Sequence, residues 1–129
     1  MIAVIRTMLV FGLMTIAAPV YASQAVQVFL CEEEEGATEE KLEATASNWL
    51  KAARTMKGGA NLEAYIHYPV AAKIPGQGDF LFVIVAPSLA EWGMFWDGYK
   101  DSPAEAADGQ STGVSVCPDS ALWEAVKIK

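Results

Sequence analysis

Hydrophobic positions change their period several times along this chain, and each change marks an element. Val26-Gln27-Val28-Phe29-Leu30-Cys31 gathers β-branched and aromatic residues over a strand's length, which predicts a first strand. After Glu32-Glu33-Glu34-Glu35, Thr38 is placed to cap a helix, with Glu39 and Glu40 in the first turn where the helix dipole favours negative charge. Leu42, Ala46, Trp49, Leu50, Ala53 and Met56 then recur at spacings of three and four, one face of an amphipathic helix that Gly58-Gly59 ends. From Leu62 to Tyr68 the pattern alternates: Leu62, Ala64, Ile66 and Tyr68 share one side, Glu63, Tyr65 and His67 the other. This second strand stops at Pro69, and Pro75-Gly76-Gln77-Gly78-Asp79 reads as a turn. Phe80 to Ala86 is apolar throughout, so a strand there needs cover on both faces. Ser88-Leu89-Ala90-Glu91 is a capping-box sequence opening a second helix, whose broad aromatic face carries Leu89, Trp92, Phe95, Trp96 and Tyr99. Residues 101–113, with Pro103, Gly109 and Gly113, read as irregular or weakly helical around Ala104 to Ala107. The alternating run Ser120 to Ile128 predicts a fourth strand, and Val114 to Cys117 is long enough for a short strand of its own.

The N-terminal residues follow a different logic. Arg6 precedes an apolar run from Met8 to Ala18, and Pro19-Val20-Tyr21-Ala22 provides a small-residue exit, the order of a cleavable signal peptide ending at Ala22. The run is about half the roughly 20 residues that a membrane-spanning helix needs. Removal of residues 1–22 leaves 107, enough for one domain, 23–129, with one core. That domain holds eight basic and sixteen acidic residues, a net charge of −8. Such a charge disfavours nucleic acid and anionic membrane surfaces, which require clustered Lys or Arg, so a soluble periplasmic or secreted protein is expected. In an oxidising compartment an even cysteine count favours pairing, so Cys31 and Cys117 are expected to form one disulfide, two separate buried thiols being the alternative. With a single histidine and no second cysteine pair, no metal site is expected.

Strand, helix, strand, strand, helix, strand (βαββαβ) is the split βαβ order, and it resembles the ferredoxin-like α+β fold, a four-stranded antiparallel sheet with both helices on one face. That resemblance implies that the last strand lies beside the first, which brings Cys31 and Cys117 to the same edge of the sheet. The helix-free face is then expected to carry Phe29, Tyr65, His67 and alternate residues of Phe80 to Ala86. An apolar surface of that kind marks a contact. The chain here looks like the dimeric α/β-barrel superfamily, in which two such sheets close face to face as a homodimer. The resemblance covers residues 24–128 and rests on element order and the Phe80–Ala86 pattern. Its members include monooxygenases of antibiotic biosynthesis, haem-degrading enzymes, isomerases, cyclases and proteins of unknown role, so the fold does not select a function.

Candidate chemistry is sparse. His67, with Tyr65 two residues away, is the candidate catalytic pair of a barrel pocket, an imidazole there serving as acid, base or donor to a bound carbonyl. The plainer alternative is a solvated or hydrogen-bonded structural histidine. Glu63, Phe29, Phe82 and Trp96 are the accompanying candidate ligand contacts. No local motif aligns with the Asn, Trp and His of haem-degrading members, because Asn48 and Asn61 flank a helix, so no cofactor is expected. The aromatic helix face serves a core as readily as a ring platform. Asp97 and Asp101, at helical spacing, and the Glu32–Glu35 strip read as solvated charge rather than Ca²⁺ ligands or a carboxylate pair. Three readings follow: a small-molecule-binding homodimer for a small apolar or aromatic ligand, a cofactor-independent monooxygenase- or isomerase-like enzyme using His67 and Tyr65, and a protein-interaction module.

Overall fold

In the computed structural model the described residues are 23–71, 75–76 and 78–128. Residues 1–22, where a signal peptide is expected, and Gln77 of the expected turn lie outside them. The elements are β1 (Gln24–Glu33), α1 (Glu39–Ala53), β2 (Glu63–His67), β3 (Phe80–Ala86), α2 (Leu89–Asp97), α3 (Pro103–Asp108), a 3-10 turn (Gly109–Ser111) and β4 (Ser115–Ala125). Both expected caps are in place. The Thr38 side chain accepts from the Lys41 amide at 3.3 Å, and the Ser88 hydroxyl accepts from the Glu91 amide at 3.1 Å. The Glu91 carboxylate in turn accepts from the Ser88 hydroxyl at 3.3 Å.

The strands form one sheet of order β2-β3-β1-β4, and every neighbouring pair is antiparallel. Register assigns the faces, because side chains at paired positions point the same way. Phe29 pairs with Phe82 and Ala25 with Ala86, and both pairs belong to the core cluster with Trp49, Ile84 and Phe95. Val28, Val83, Tyr65 and Ala121 lie in one row on the opposite face. Helices cover only the first face. Gln27 belongs to it as well, and its side-chain oxygen accepts from the Trp92 indole at 2.9 Å.

Four expectations change. The last strand is a single element from Ser115 to Ala125 that absorbs Ser115 to Cys117 of the expected short run, leaves Val114 in the preceding turn and stops before Ile128. The stretch after Tyr99 forms α3, capped by Ser102 with Pro103 in its first turn, and it buries Ala104 and Ala107 against the core. α1 closes at Ala53, so Met56 packs from the following turn. Phe29 and Phe82 face the helices rather than the open side, their rings 6.2 Å apart. The reason is that β1 and β3 are apolar on both faces, so alternation alone could not choose a side. The aromatic ridge of α2 does, with Trp96 6.4 Å from Phe29.

The cysteines form the expected bridge, Cys31–Cys117, between neighbouring strands. Pairing of β1 with β4 shifts by one residue there: Leu30 faces Asp119 but Glu32 faces Val116, so Cys117 and Pro118 together oppose Cys31. Proline is tolerated at this point because β4 is an outer strand and the ladder is already interrupted.

Gly58 positions the turn after α1 against α2. Its φ is +79°, and a methyl group added there would lie 2.5 Å from the Glu91 carbonyl oxygen and 2.7 Å from the Phe95 nitrogen. Backbone on both sides cannot yield cheaply, so Gly58→Ala is expected to cost about 2–4 kcal/mol from positive-φ strain plus overpacking. Urea denaturation checks it, Gly36→Ala serving as the comparison: φ there is also positive, at +83°, but no atom lies within 4 Å of the added methyl.

Candidate functional site

α1 does not lie flush on the sheet. Its Leu42 and Trp49 reach the core, but Thr45 and Ala46 between them are short, and they leave a cleft of about 420 Å³ between the helix, the helix-side face of the sheet and the α3 region. Volumes of this order suit small organic ligands. Six aromatic residues line it: Phe29, Trp49, Phe80, Phe82, Trp96 and Tyr99. Trp49 sets its ring edge-on to both Phe82 and Phe95, at 5.5 and 5.9 Å, so the walls hold one another in place.

The polar side is formed by Tyr99 and Asp108. The Trp49 indole donates to the Tyr99 hydroxyl at 3.2 Å, and Asp108, which also lines the cleft, lies near enough for its charge to act on that phenol. Burial is the main cause that pushes the Tyr99 phenol up to about 12, and the neighbouring Asp108 charge adds to it. A phenol with a folded value above its ordinary 10 retains its proton when the unfolded chain has lost one. Stability from Tyr99 is therefore full below pH 10 and expected to fall as pH rises from 10 to about 12. Chemical denaturation across that range, with Tyr99→Phe as control, checks it: the variant should lose this part of the pH slope.

The sheet divides the candidate residues. Phe29, Phe82 and Trp96 line the cleft. Glu63, Tyr65 and His67 lie on the other face, all exposed, with the Tyr65 and His67 rings 6.3 Å apart. Tyr65 donates its hydroxyl to Glu63, and that bond, with the carboxylate charge, raises the phenol above its usual range. The cleft takes in neither Tyr65 nor His67, while a second, more open cavity between α1 and β2 is lined by both Tyr65 and Phe82. Asp97 and Asp101 do not share a helix either: α2 ends at Asp97, and Asp101 has a φ of 59°. Among the described residues no group of three or more His, Cys, Asp or Glu side chains is placed to hold a metal ion. Likewise, none of the described helices is long and apolar enough to cross a membrane.

Trp49, Tyr99 and Asp108 are the site residues that the sequence did not single out. Trp49 and Tyr99 were legible as apolar helix positions, but the pairing of indole with phenol joins residues 50 apart and left no local signal. Asp108 reaches the cleft only because residues 103–111 turn helical.

A four-stranded antiparallel sheet of this order, with helices on one face and the other open, defines a ferredoxin-like α+β protein. No protein-family profile and no curated protein matches the chain. Solved structures do match. A dimeric ferredoxin-like protein of unknown function from Thermobifida fusca is 12% identical over 82% of this chain and 92% of that one, with a TM-score of 0.50. A protein of unknown function from Rhodopseudomonas palustris is 10% identical over 84% and 85%, with a TM-score of 0.46. A candidate chlorite dismutase is 9% identical over 78% of this chain and 43% of that one, with a TM-score of 0.40.

Proposed function

We propose that this chain is an exported small-molecule-binding domain whose ligand occupies the cleft beneath α1. The observation that carries the reading is the cleft itself: about 420 Å³, walled by rings, with the Tyr99–Asp108 pair at its polar side. A fully packed interior would leave no such space. Residues 1–22 direct export and are removed, leaving 23–129 as the working domain, and a disulfide suits that oxidising destination.

Ligand entry is tested with N-phenyl-1-naphthylamine, a neutral apolar probe whose emission rises on burial. The expected result is saturable binding at one probe per chain, lost in Ala46→Phe, which fills the cleft from α1, and retained in His67→Ala, whose side chain lies across the sheet. Probe binding that ignores Ala46→Phe would refute the assignment of the site.

The open sheet face supports a second element of the proposal, a homodimer closed sheet to sheet. Its rows carry the half-buried Val28 and Ala121, with Trp123 61% and Tyr65 46% exposed, a surface more apolar than an isolated domain leaves in water. The Thermobifida fusca protein of the same fold is described as dimeric. Light scattering should return twice the chain mass, with Trp123→Glu shifting it to one; a wild-type protein of one chain mass ends this part of the reading. Only in such a dimer would Glu63, Tyr65 and His67 be enclosed, so the alternative of a cofactor-independent monooxygenase- or isomerase-like enzyme, with His67 and Tyr65 as its reacting groups, depends on it. A monomer would instead favour a protein-interaction module using the same face.

A further inference from the structure

Resting on the cleft as the ligand site, we infer that its ligand is an organic cation, a small amine or quaternary ammonium compound held against the rings with Asp108 as counter-charge. Among the described residues Asp108 is the one charged side chain that lines the cleft, and none of the described lining residues is Lys, Arg or His. An anionic ligand would enter an apolar space facing a carboxylate with no compensating charge, which burial makes costly. A cation meets the opposite conditions. The π-faces of Trp, Tyr and Phe attract positive charge, Trp most strongly, and the cleft that Asp108 lines is also lined by Trp49, Trp96 and Tyr99. Tyr99 and Trp96 stand with ring centroids 4.6 Å apart, a paired aromatic wall. Asp108 lies near enough to Tyr99 for its charge to act on the phenol; its carboxylate accepts hydrogen bonds from a protonated amine and meets a quaternary ammonium group as charge alone. Quaternary ammonium groups are the weakly hydrated members of this class and lose least on leaving water. The whole chain reinforces the preference, since its formal net charge of −7 raises the local concentration of cations over anions.

Titration of the purified protein by tryptophan fluorescence, with phenyltrimethylammonium against its neutral isostere tert-butylbenzene and against benzoate, isolates the charge from the shape. The cation is expected to bind at least tenfold tighter than the isostere, benzoate not measurably. Asp108→Asn should narrow the cation's advantage several-fold while circular dichroism stays unchanged. For the wild type, raising the salt from 20 to 500 mM should weaken the cation but not the isostere, and this arm needs no variant. Equal affinity for cation and isostere, or binding of benzoate as tight as the cation, would overturn the cation inference and leave the ligand cleft standing. No binding of any probe here or of N-phenyl-1-naphthylamine would overturn both.

Discussion

Replacing Cys31 and Cys117 together by alanine is expected to remove about 3–5 kcal/mol of stability and to lower the thermal midpoint by roughly 12 °C or more. The bridge spans 86 residues of sequence, nearly the whole domain, so cutting it releases almost the entire unfolded chain from one closed loop. Alanine is the better replacement because Cys31 is fully buried between Leu42 and Phe80, where a serine hydroxyl would add its own desolvation cost. Urea denaturation of oxidised wild type, reduced wild type and the double variant gives the comparison. Reduced protein and variant should agree within about 1 kcal/mol. Should the variant match the oxidised protein instead, the bridge would not be constraining the unfolded state.

Phe95→Ala is expected to cost about 3–5 kcal/mol, the range for truncating a buried phenylalanine. Phe95 is fully buried on α2 and meets three rings at once, Trp49 at 5.9 Å, Trp96 at 5.1 Å and Tyr99 at 5.7 Å, each near edge-to-face. Two of these cleft walls, Trp49 and Tyr99, are joined by the indole-to-phenol hydrogen bond, so the cavity left by Phe95 should loosen the site as well as the core. Chemical denaturation reads the first effect; a weaker N-phenyl-1-naphthylamine titration, at a temperature where the variant remains folded, reads the second. Phe95→Leu fills most of the space and is expected to recover more than half of the lost stability. A Phe95→Ala cost below about 1.5 kcal/mol would mean that α2 is not seated as described.

Element order was legible because the periods differ sharply: helical recurrence at five positions in α1, alternation in β2, an unbroken apolar run in β3. Thr38 and Ser88 announced their helices for a local reason, the side-chain oxygen three residues before an orphan amide. Topology followed from order, and it placed Cys31 beside Cys117. What alternation could not decide was the facing of β1 and β3, where Val28 and Phe29, or Val83 and Phe82, are equally apolar. That choice is tertiary, made by the rings of α2. The candidate ligand residues were accordingly assigned to the wrong side at Phe29 and Phe82, while Glu63, Tyr65 and His67, on a strand with one polar face, were placed on the open face where they lie. α3 was half-legible: Pro103 and the alanines suggested a turn of helix, but Asp108 gained its meaning from a contact with Tyr99 that no local pattern carries.

The margins of the sheet bear on how the protein avoids its own β-structure as a hazard. An outer strand offers unpaired amides to any passing chain, and a long, flat one seeds fibres. β4 has the length for it, 11 residues, but Pro118 lacks an amide to offer and the irregularity opposite Cys31 breaks the strand's straight run. At the other margin β2 is only five residues long and is followed by Pro69 within two. Strand-by-strand growth is thus discouraged on both sides. In the proposed dimer, self-recognition is left to the broad face, where a two-fold pairing buries the surface it uses and stops at two copies.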